Sequence, residues 1–511
     1  MKLLSKLGLT IITGSLMLFV LSACLSNPAE VDPMLRFTPA MRPEFQDDLA
    51  LMDTAPVYSM DVTLDQSGEV LTGTAQIEIT NTSNDSWSDL VFRFYPMLNH
   101  YGGRMTLQNV SLEQDPTNFV YDAGNTAVRV DLFESLLPDE RITVEMGWRI
   151  QIPTWPDSDQ TYALFGRSQQ MISLPLFYPS LAVYQPGPIS GTGSWWLEQG
   201  IARGDSAFNV TSLFAVTTTI PADHLPVASG TLITSTLVSD DYARHVWVTG
   251  PSREFMLHTS PQFSSAHSEA QGTRVTSYWL PGDEGAGRAA LNHAIAALRI
   301  YTELYGPYPY RDMRVAPAPL TFRGMEYPQV NLLGSQVYNR YRQDMETLVA
   351  HEVAHQWWYQ LVHNDPVNQP WLDEALAEYS VKLYYEALRG QANANNLRSR
   401  RWQTPVDALI HREEDTMIDQ PVKEFQSSRQ YETVIYAKGA LFYEEIYQLL
   451  GRRQFARFMQ RYLEDHRYSI ITSNEWAEYI RTLNNPRINQ LYQQWVQNPI
   501  REPQIEVKSD E

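Results

Sequence analysis

The chain has 511 residues, of which 43% are hydrophobic and 19% charged, and its formal net charge is −20. That length exceeds one ordinary domain and predicts two or three, with ample apolar material for their cores. The acidic balance argues against nucleic acid as a partner, because phosphate binding needs a basic surface.

The chain begins with a targeting pattern. Lys2 and Lys6 precede an apolar run from Leu7 to Leu21, the order of a secretory signal. The run ends in Leu21-Ser22-Ala23-Cys24, which resembles the bacterial lipobox of an apolar residue, two small residues and a cysteine. Cys24 is the only cysteine, so no intrachain disulfide can form and stability must come from packing. Residues 1–23 are therefore expected to be a lipoprotein signal peptide, with Cys24 as the lipidation site. The mature protein would then be membrane-anchored in the bacterial cell envelope, facing outside the cytoplasm. Residues 24–50, with several prolines and little periodicity, read as a tether. No later segment has the ~18 uninterrupted apolar residues of a spanning helix.

From Val57 the pattern becomes strand-like. Leu71 to Ile79 alternates well, and Leu90 to Tyr95, Ala127 to Leu132 and Ile142 to Ile152 continue it. Beyond a Gly/Ser/Pro-rich interval (Pro186 to Ser194), further short strands run from Phe208 to Leu280, separated by Asn, Asp, Gly and Pro turns. This predicts a β-sandwich domain over 51–265. Its histidines, His100, His224, His245, His258 and His267, are scattered singly and read as structural or solvated. Near Gly282 the period switches from two to 3.6, and Ala289 to Leu304 predicts a helix ended by Gly306 and Pro307. Helices dominate the remainder of the chain, with a metal-bearing helix over about Asp344 to Leu361 and another over about Asp373 to Leu388. The second domain is placed at 266–500, with a polar tail over 501–511. The fold class is α+β and multidomain, an N-terminal β-sandwich before a mainly helical catalytic domain. No internal repeat of fixed period is present.

The chemistry is concentrated between Met345 and Tyr379. His351, Glu352 and His355 form an H-E-x-x-H motif, and Glu374 comes after eighteen intervening residues. Residues four apart on a helix lie on one face, so both histidines can offer a nitrogen to one ion. Glu352 sits beside them as a base for a metal-activated water. Two histidines and a glutamate are an established hydrolytic zinc set, and one Zn2+ per chain is expected on His351, His355 and Glu374. Glu378, one turn after Glu374, can serve as a carboxylate behind a ligand imidazole or as a solvated surface group.

The run H-E-V-A-H-Q-W-W, the eighteen-residue spacer and W-L-D-E-A-L-A-E-Y together resemble the aminopeptidase N family of gluzincin metallopeptidases. Gly324-Met325-Glu326 falls where that family has Gly-Ala-Met-Glu-Asn, and Tyr436-Ala437-Lys438-Gly439-Ala440 resembles its Tyr-Glu-Lys-Gly-Ala segment. The phrase from Tyr305 to Tyr310 and the order of domains also fit. The resemblance implies a thermolysin-like catalytic domain and an aminopeptidase acting on peptide substrates. By the same resemblance, Glu352 is the acid–base residue, Tyr436 the oxyanion donor and Glu326 the group that binds the substrate amine, beside Gly324 and Met325. Arg323 and Tyr327 depart from the family's Gly and Asn, and the short stretch after Glu374 implies an open cleft. Alternative readings are a zinc endopeptidase or other hydrolase of the same fold, and an anchored binding lipoprotein without turnover. The sequence specifies no oligomeric state, and the first-domain group that completes the family's amine site is not identifiable from it.

Overall fold

The computed structural model describes residues 33–500 apart from 159, 190, 202 and 322. The expected signal peptide over 1–23, Cys24 and the tail over 501–511 lie outside the described residues.

Alternation drives the first domain. In Val70–Thr80 the buried positions are Leu71, Gly73, Ala75, Ile77 and Ile79, joined by Thr80 at the strand end, with Thr72, Thr74 and Gln76 turned to solvent. This strand lies within an eight-stranded sheet that runs, edge to edge, through Thr231–Leu237, Tyr242–Val248, Leu213–Pro221, Val57–Leu64, Val70–Thr80, Arg141–Gln151, Arg104–Leu112 and Asp115–Pro116. Val57–Leu64 and Leu213–Pro221 are parallel, with Val57 opposite Leu213. Two four-stranded sheets, containing Trp87–Arg93 and Met256–Ser260, share its core. Met60, Ile77, Leu90, Phe92, Trp148, Leu174 and Leu257 from all three sheets form one buried cluster. The predicted sandwich is present, with one of its layers in two pieces.

The second domain adds its own sheet, in the order Ser264–Ala270, Thr273–Trp279, Asp312–Ala318, Val330–Gly334 and Gly324–Tyr327. It begins at Ser264, just ahead of the expected boundary at 266. One face, with Val275, Met313, Val315 and Leu333, packs on the helices. The other, with Ala316, Ala318, Tyr327 and Leu332, packs into the core of the first domain. The sheet therefore joins the two domains, and its edge strand Gly324–Tyr327 carries the predicted substrate residues.

Helix α1 (Glu284–Tyr305) buries Ala290, Leu291, Ala294, Leu298 and Tyr301, the three-and-four spacing of the sequence. It starts a turn earlier than expected and ends at Gly306, whose φ is +106°. Helix α2 (Met345–Ala354) carries the H-E-x-x-H motif, with His355 as its C-cap, and helix α3 (Trp371–Arg389) bears Glu374.

Two expectations are corrected. Residues 33–50, expected as tether, instead form 3-10 turns (Pro33–Ala40 and Pro43–Met52) packed on the second domain. Phe37, Met41, Leu49 and Met52 are buried in the helical core, and Arg42 donates its backbone N–H to the Pro309 carbonyl at 2.9 Å. Asp48 accepts from Arg467 at 2.8 Å and from the Tyr468 hydroxyl at 2.9 Å. Prolines suppressed helical periodicity in this stretch while its apolar residues were still available for burial. The metal helix also stops at Ala354 and does not reach Leu361. There the chain folds back to bury two indoles, with Trp357 donating to the Gly306 carbonyl at 3.1 Å and Trp358 to Ser380 Oγ at 3.1 Å.

The first domain holds that fold-back. Arg253 donates to the carbonyls of Tyr359 (3.3 Å), Leu361 (3.3 Å) and Ser469 (2.9 Å), and the Tyr359 hydroxyl donates to Glu254. Tyr359 has φ +141°, a conformation that side chains rarely adopt, and these contacts keep it there.

Candidate metal centre and active site

His351 and His355 face the same way from the last turn of α2, and Glu374 meets them from the first turn of α3. Their nearest atoms form a small triangle. His351 Nε2 is 3.1 Å from His355 Nε2 and 3.3 Å from Glu374 Oε2, and His355 Nε2 is 3.2 Å from the same oxygen. Three ligands 2.0–2.1 Å from a tetrahedral Zn2+ would lie about 3.3 Å apart. His355 Nδ1 is 2.8 Å from the Trp358 carbonyl, which places its proton there and leaves Nε2 with a free lone pair. His351 Nδ1 lies 3.4 Å from Glu378 Oε2. Converging lone pairs in a buried pocket repel one another unless a cation lies between them, so this donor set fits zinc.

The surroundings favour positive charge. Burial would lower the His351 pKa, but hydrogen bonding to Glu374 and Glu378 outweighs it and lifts the value to about 9. Burial likewise opposes charge on His355, yet Glu326 and Glu374 push it well above the usual range. Burial would raise Glu374, and the two imidazoles instead hold it far below the ordinary carboxylate range. Glu378, also against the cost of burial, is brought down to about 2 by Arg401 and His351. Of the two sequence readings of Glu378, the solvated one is excluded, since its side chain is only 3% exposed.

Glu352 is next to His351 on α2 and projects toward the strand Gly324–Tyr327. A Cβ on Gly324 would lie 1.9 Å from Glu352 Oε1, so the absence of a side chain there makes room for the carboxylate. Glu352 Oε2 is buried without a hydrogen-bond partner, unusual for a polar atom outside a reactive site. Burial, opposed by His351 and aided by Glu326, pushes the Glu352 pKa up to about 8. Gly324→Ala is expected to displace this carboxylate. Turnover should fall at least ~10-fold while zinc content holds, measured by kinetics beside metal analysis; an unchanged rate would show that Glu352 can move freely.

Tyr436 lies in a π-helical stretch, Thr433–Lys438, of the kind that often marks functional sites. Its hydroxyl donates to Glu374 Oε1 at 2.5 Å, and its ring stacks on His351 with centroids 5.9 Å apart. Its neighbours in the motif account for its placement. Lys438 is buried and donates to Asp415 Oδ2 at 2.9 Å and the Thr416 carbonyl at 2.7 Å. Gly439 packs directly on α3, where an added Cβ would meet that of Ala375 at 2.5 Å.

Glu326 reaches the same centre from the edge strand, with Oε1 4.0 Å from His355 Nε2. Gly324, Met325 and Glu326 all line a cavity of about 600 Å³ that also contains His351, Glu352, Glu374 and Tyr436. Met325 packs into the inter-domain core as well. Of the two positions that depart from the family pattern, Tyr327 is turned into that core, while Arg323 pairs with Glu432 at 2.6 Å on the cavity rim.

Sequence reasoning missed two groups here. Asp205, from the first domain, lines the cavity opposite no recognisable motif. Burial, seconded by the charge of Glu326, pushes its pKa up to about 7, although the Ser206 and Ala207 N–H groups donate to it at 2.6 and 3.1 Å. It supplies a first-domain acid beside Glu326, but lies in an irregular loop with no spacing to mark it. The other group is Arg401 and Trp402, which hold Glu378 from a second π-helical turn, Ser399–Gln403. Their adjacency in sequence could have suggested an aromatic–cation pair, but nothing pointed it at Glu378.

Comparison with known proteins agrees with this geometry. A family model described as "Peptidase family M1 domain" matches residues 289–495. Aminopeptidase M1-C of Oryza sativa subsp. japonica is 23% identical over 247 residues, 44% of this chain and 27% of that protein. Leucine aminopeptidase 2 of Aspergillus terreus is 24% identical over 184 residues, 35% of this chain and 29% of that protein. The matched stretches thus span under a third of these curated relatives. A solved two-domain M1 zinc metallopeptidase bound to L-arginine has a TM-score of 0.66 at 17% identity, covering 88% of this chain and 96% of its own. The M1 zinc metallopeptidase of Deinococcus radiodurans gives 0.64 at 16% identity, covering 86% and 94%, and a mutant of it bound to Tyr-Ser-Ala gives 0.63, also at 16% identity and the same coverages. The solved structures share the two-domain fold, and residues 289–495 match the peptidase family M1 domain.

Proposed function

We propose that the protein is a zinc-dependent aminopeptidase that removes N-terminal residues from peptides. The observation that carries this reading is Glu326, a buried carboxylate 4.0 Å from His355 with Asp205 lining the same cavity. Glu326, with Asp205 lining the same cavity, offers a socket for one ammonium group, and the position of Glu326 beside His355 allows about one residue between that group and the bond to be cut. When bound, zinc supplies a Lewis acid and acidifies water toward neutral pH. Glu352 accepts the proton of the attacking water at its free Oε2 and returns it to the leaving amine. Tyr436, freed from Glu374, donates its hydroxyl to the carbonyl oxygen as charge develops there. The edge strand Gly324–Tyr327 offers backbone groups to an extended peptide. The tripeptide held by the Deinococcus neighbour supports peptides as the substrate class.

The test is a panel of amino-acyl substrates and their N-acetylated counterparts. Acetylation is expected to lower kcat/KM at least ~100-fold, because it leaves the buried Glu326 carboxylate, and the partly buried Asp205 in the same cavity, without their cation. Glu326→Gln should erase most of that difference. Equal rates on blocked peptides in the unaltered protein would overturn the exopeptidase reading in favour of an endopeptidase of the same fold.

The same proposal places the protein on the outer side of a bacterial membrane through a lipid on Cys24. Among the described residues no helix is long and apolar enough to cross a membrane. Cys24→Ala is expected to move the expressed protein from the membrane fraction to the soluble fraction, and an unchanged distribution would reject the anchor.

A further inference from the structure

The cavity is chemically polarised along α2. Beside His355 stands Glu326, with Asp205 lining the same cavity; beside His351 stand Thr347 and Leu348, one turn earlier on the helix, and the π-helical turn Ser399–Gln403. A peptide whose amine rests at Glu326 and whose carbonyl lies over the three donors must send its remaining residues past His351. That end is where Arg400 and Arg401 line the cavity.

Arg401 is held rigidly. Its Nε and Nη2 each donate to a different oxygen of Glu378 at 3.0 Å, and Trp402 Nε1 donates to Glu378 Oε1 at 2.6 Å. Glu378 is enclosed behind this pair, while Arg401 itself is 47% exposed and keeps Nη1 unspent. A fork held at one edge presents the other in a fixed plane, which suits a carboxylate. Arg400 is exposed and makes no hydrogen bond or ion pair among the described residues. Besides Glu378, the cavity-lining acid Asp344 near this end accepts from Gln343 at 3.2 Å. On the opposite rim the charge of Arg323 is already matched by Glu432.

We propose that Arg400, beside the immobilised Arg401, reads a carboxylate on the residue just past the scissile bond. The inference rests on the aminopeptidase reading and names its substrate class: peptides with a free amine at the cut end and a negative charge one residue beyond the cut. That charge has two sources, the α-carboxylate of a dipeptide or the side chain of Asp or Glu.

The experiment compares kcat/KM of the zinc-loaded full chain for Leu-Ala, Leu-Ala-amide, Leu-Glu-amide and Leu-Gln-amide, with a fluorogenic leucyl arylamide alongside. At least one charged member is expected to exceed its neutral counterpart about tenfold or more, the scale of a charge-assisted hydrogen bond. Preference for Leu-Ala over its amide identifies the α-carboxylate, and preference for Leu-Glu-amide over Leu-Gln-amide identifies the side chain. Arg400→Ala should bring the charged-to-neutral ratio close to one, and Arg400→Lys should restore part of it. Ratios near one in the unaltered protein, or a ratio untouched by Arg400→Ala, overturn the proposal while leaving the aminopeptidase intact. No cleavage of any substrate, the arylamide included, overturns the aminopeptidase reading and this inference with it.

Discussion

Glu352→Gln is expected to lower turnover by about 10²–10⁴-fold while zinc still binds at one ion per chain. The amide keeps the shape of the carboxylate, so the packing against Gly324 survives. What it loses is the ability to take a proton at Oε2, the atom buried without a partner. The loss falls on the chemical step and belongs in kcat, since Glu352 is not among the three residues, His351, His355 and Glu374, that would hold the ion. Stability should not fall, because the neutral amide avoids the cost of ionising a carboxyl that burial pushes up to about 8. Steady-state kinetics, metal analysis and a melting curve on one preparation check all three parts. A variant that keeps its rate within tenfold would remove Glu352 from the mechanism, and one that loses zinc would make it a structural support of the site.

The ease with which each part of this site could be read depends on how local its cause is. His351, Glu352 and His355 sit on one helical turn, so their chemistry depends on spacing alone. Glu374 is farther away in sequence, but it opens a helix behind the deeply buried Trp371 and is therefore placed by local packing. Glu326 and Tyr436 depend on tertiary structure: one is an ordinary carboxylate on an edge strand, the other one tyrosine among 28. Only resemblance singled them out, although the structure does bring both to the metal ligands. Asp205 and the Arg401–Glu378 pair had no local sign, because their partners come from another domain or another helix. The same distinction holds in the fold. Period-two and period-3.6 patterns identified the sandwich and α1, whereas the strap over 33–52 and the end of α2 at Ala354 were set by what Phe37, Met41, Trp357 and Trp358 could bury against.

Removing zinc with a chelator is expected to abolish turnover and to lower the melting temperature on the order of 5 °C, the stabilisation lost when a tightly bound ion leaves. His355 is fully buried and His351 and Glu374 nearly so, and their donor atoms stand only 3.1–3.3 Å apart. Without the ion, protons can compensate in part. In the folded chain His351 has a pKa of about 9 and that of His355 is also raised, since the surrounding carboxylates overcome the effect of burial. A histidine whose folded pKa lies above its unfolded value near 6.5 stabilises the fold fully below that value, and the benefit is lost as pH rises through about 9. The zinc-free protein should therefore melt at progressively lower temperature between about pH 6.5 and pH 9. The zinc-loaded protein, whose ligands have already released those protons, should lack this component, so the gap between the two forms widens with pH. Melting curves of stripped and reloaded protein at about pH 6 and about pH 9, with leucyl arylamide turnover measured in parallel, test both the metal requirement and the proton linkage. A gap that does not widen with rising pH would mean that the histidines are neutral in the empty site, and activity that survives stripping would exclude zinc from the reaction.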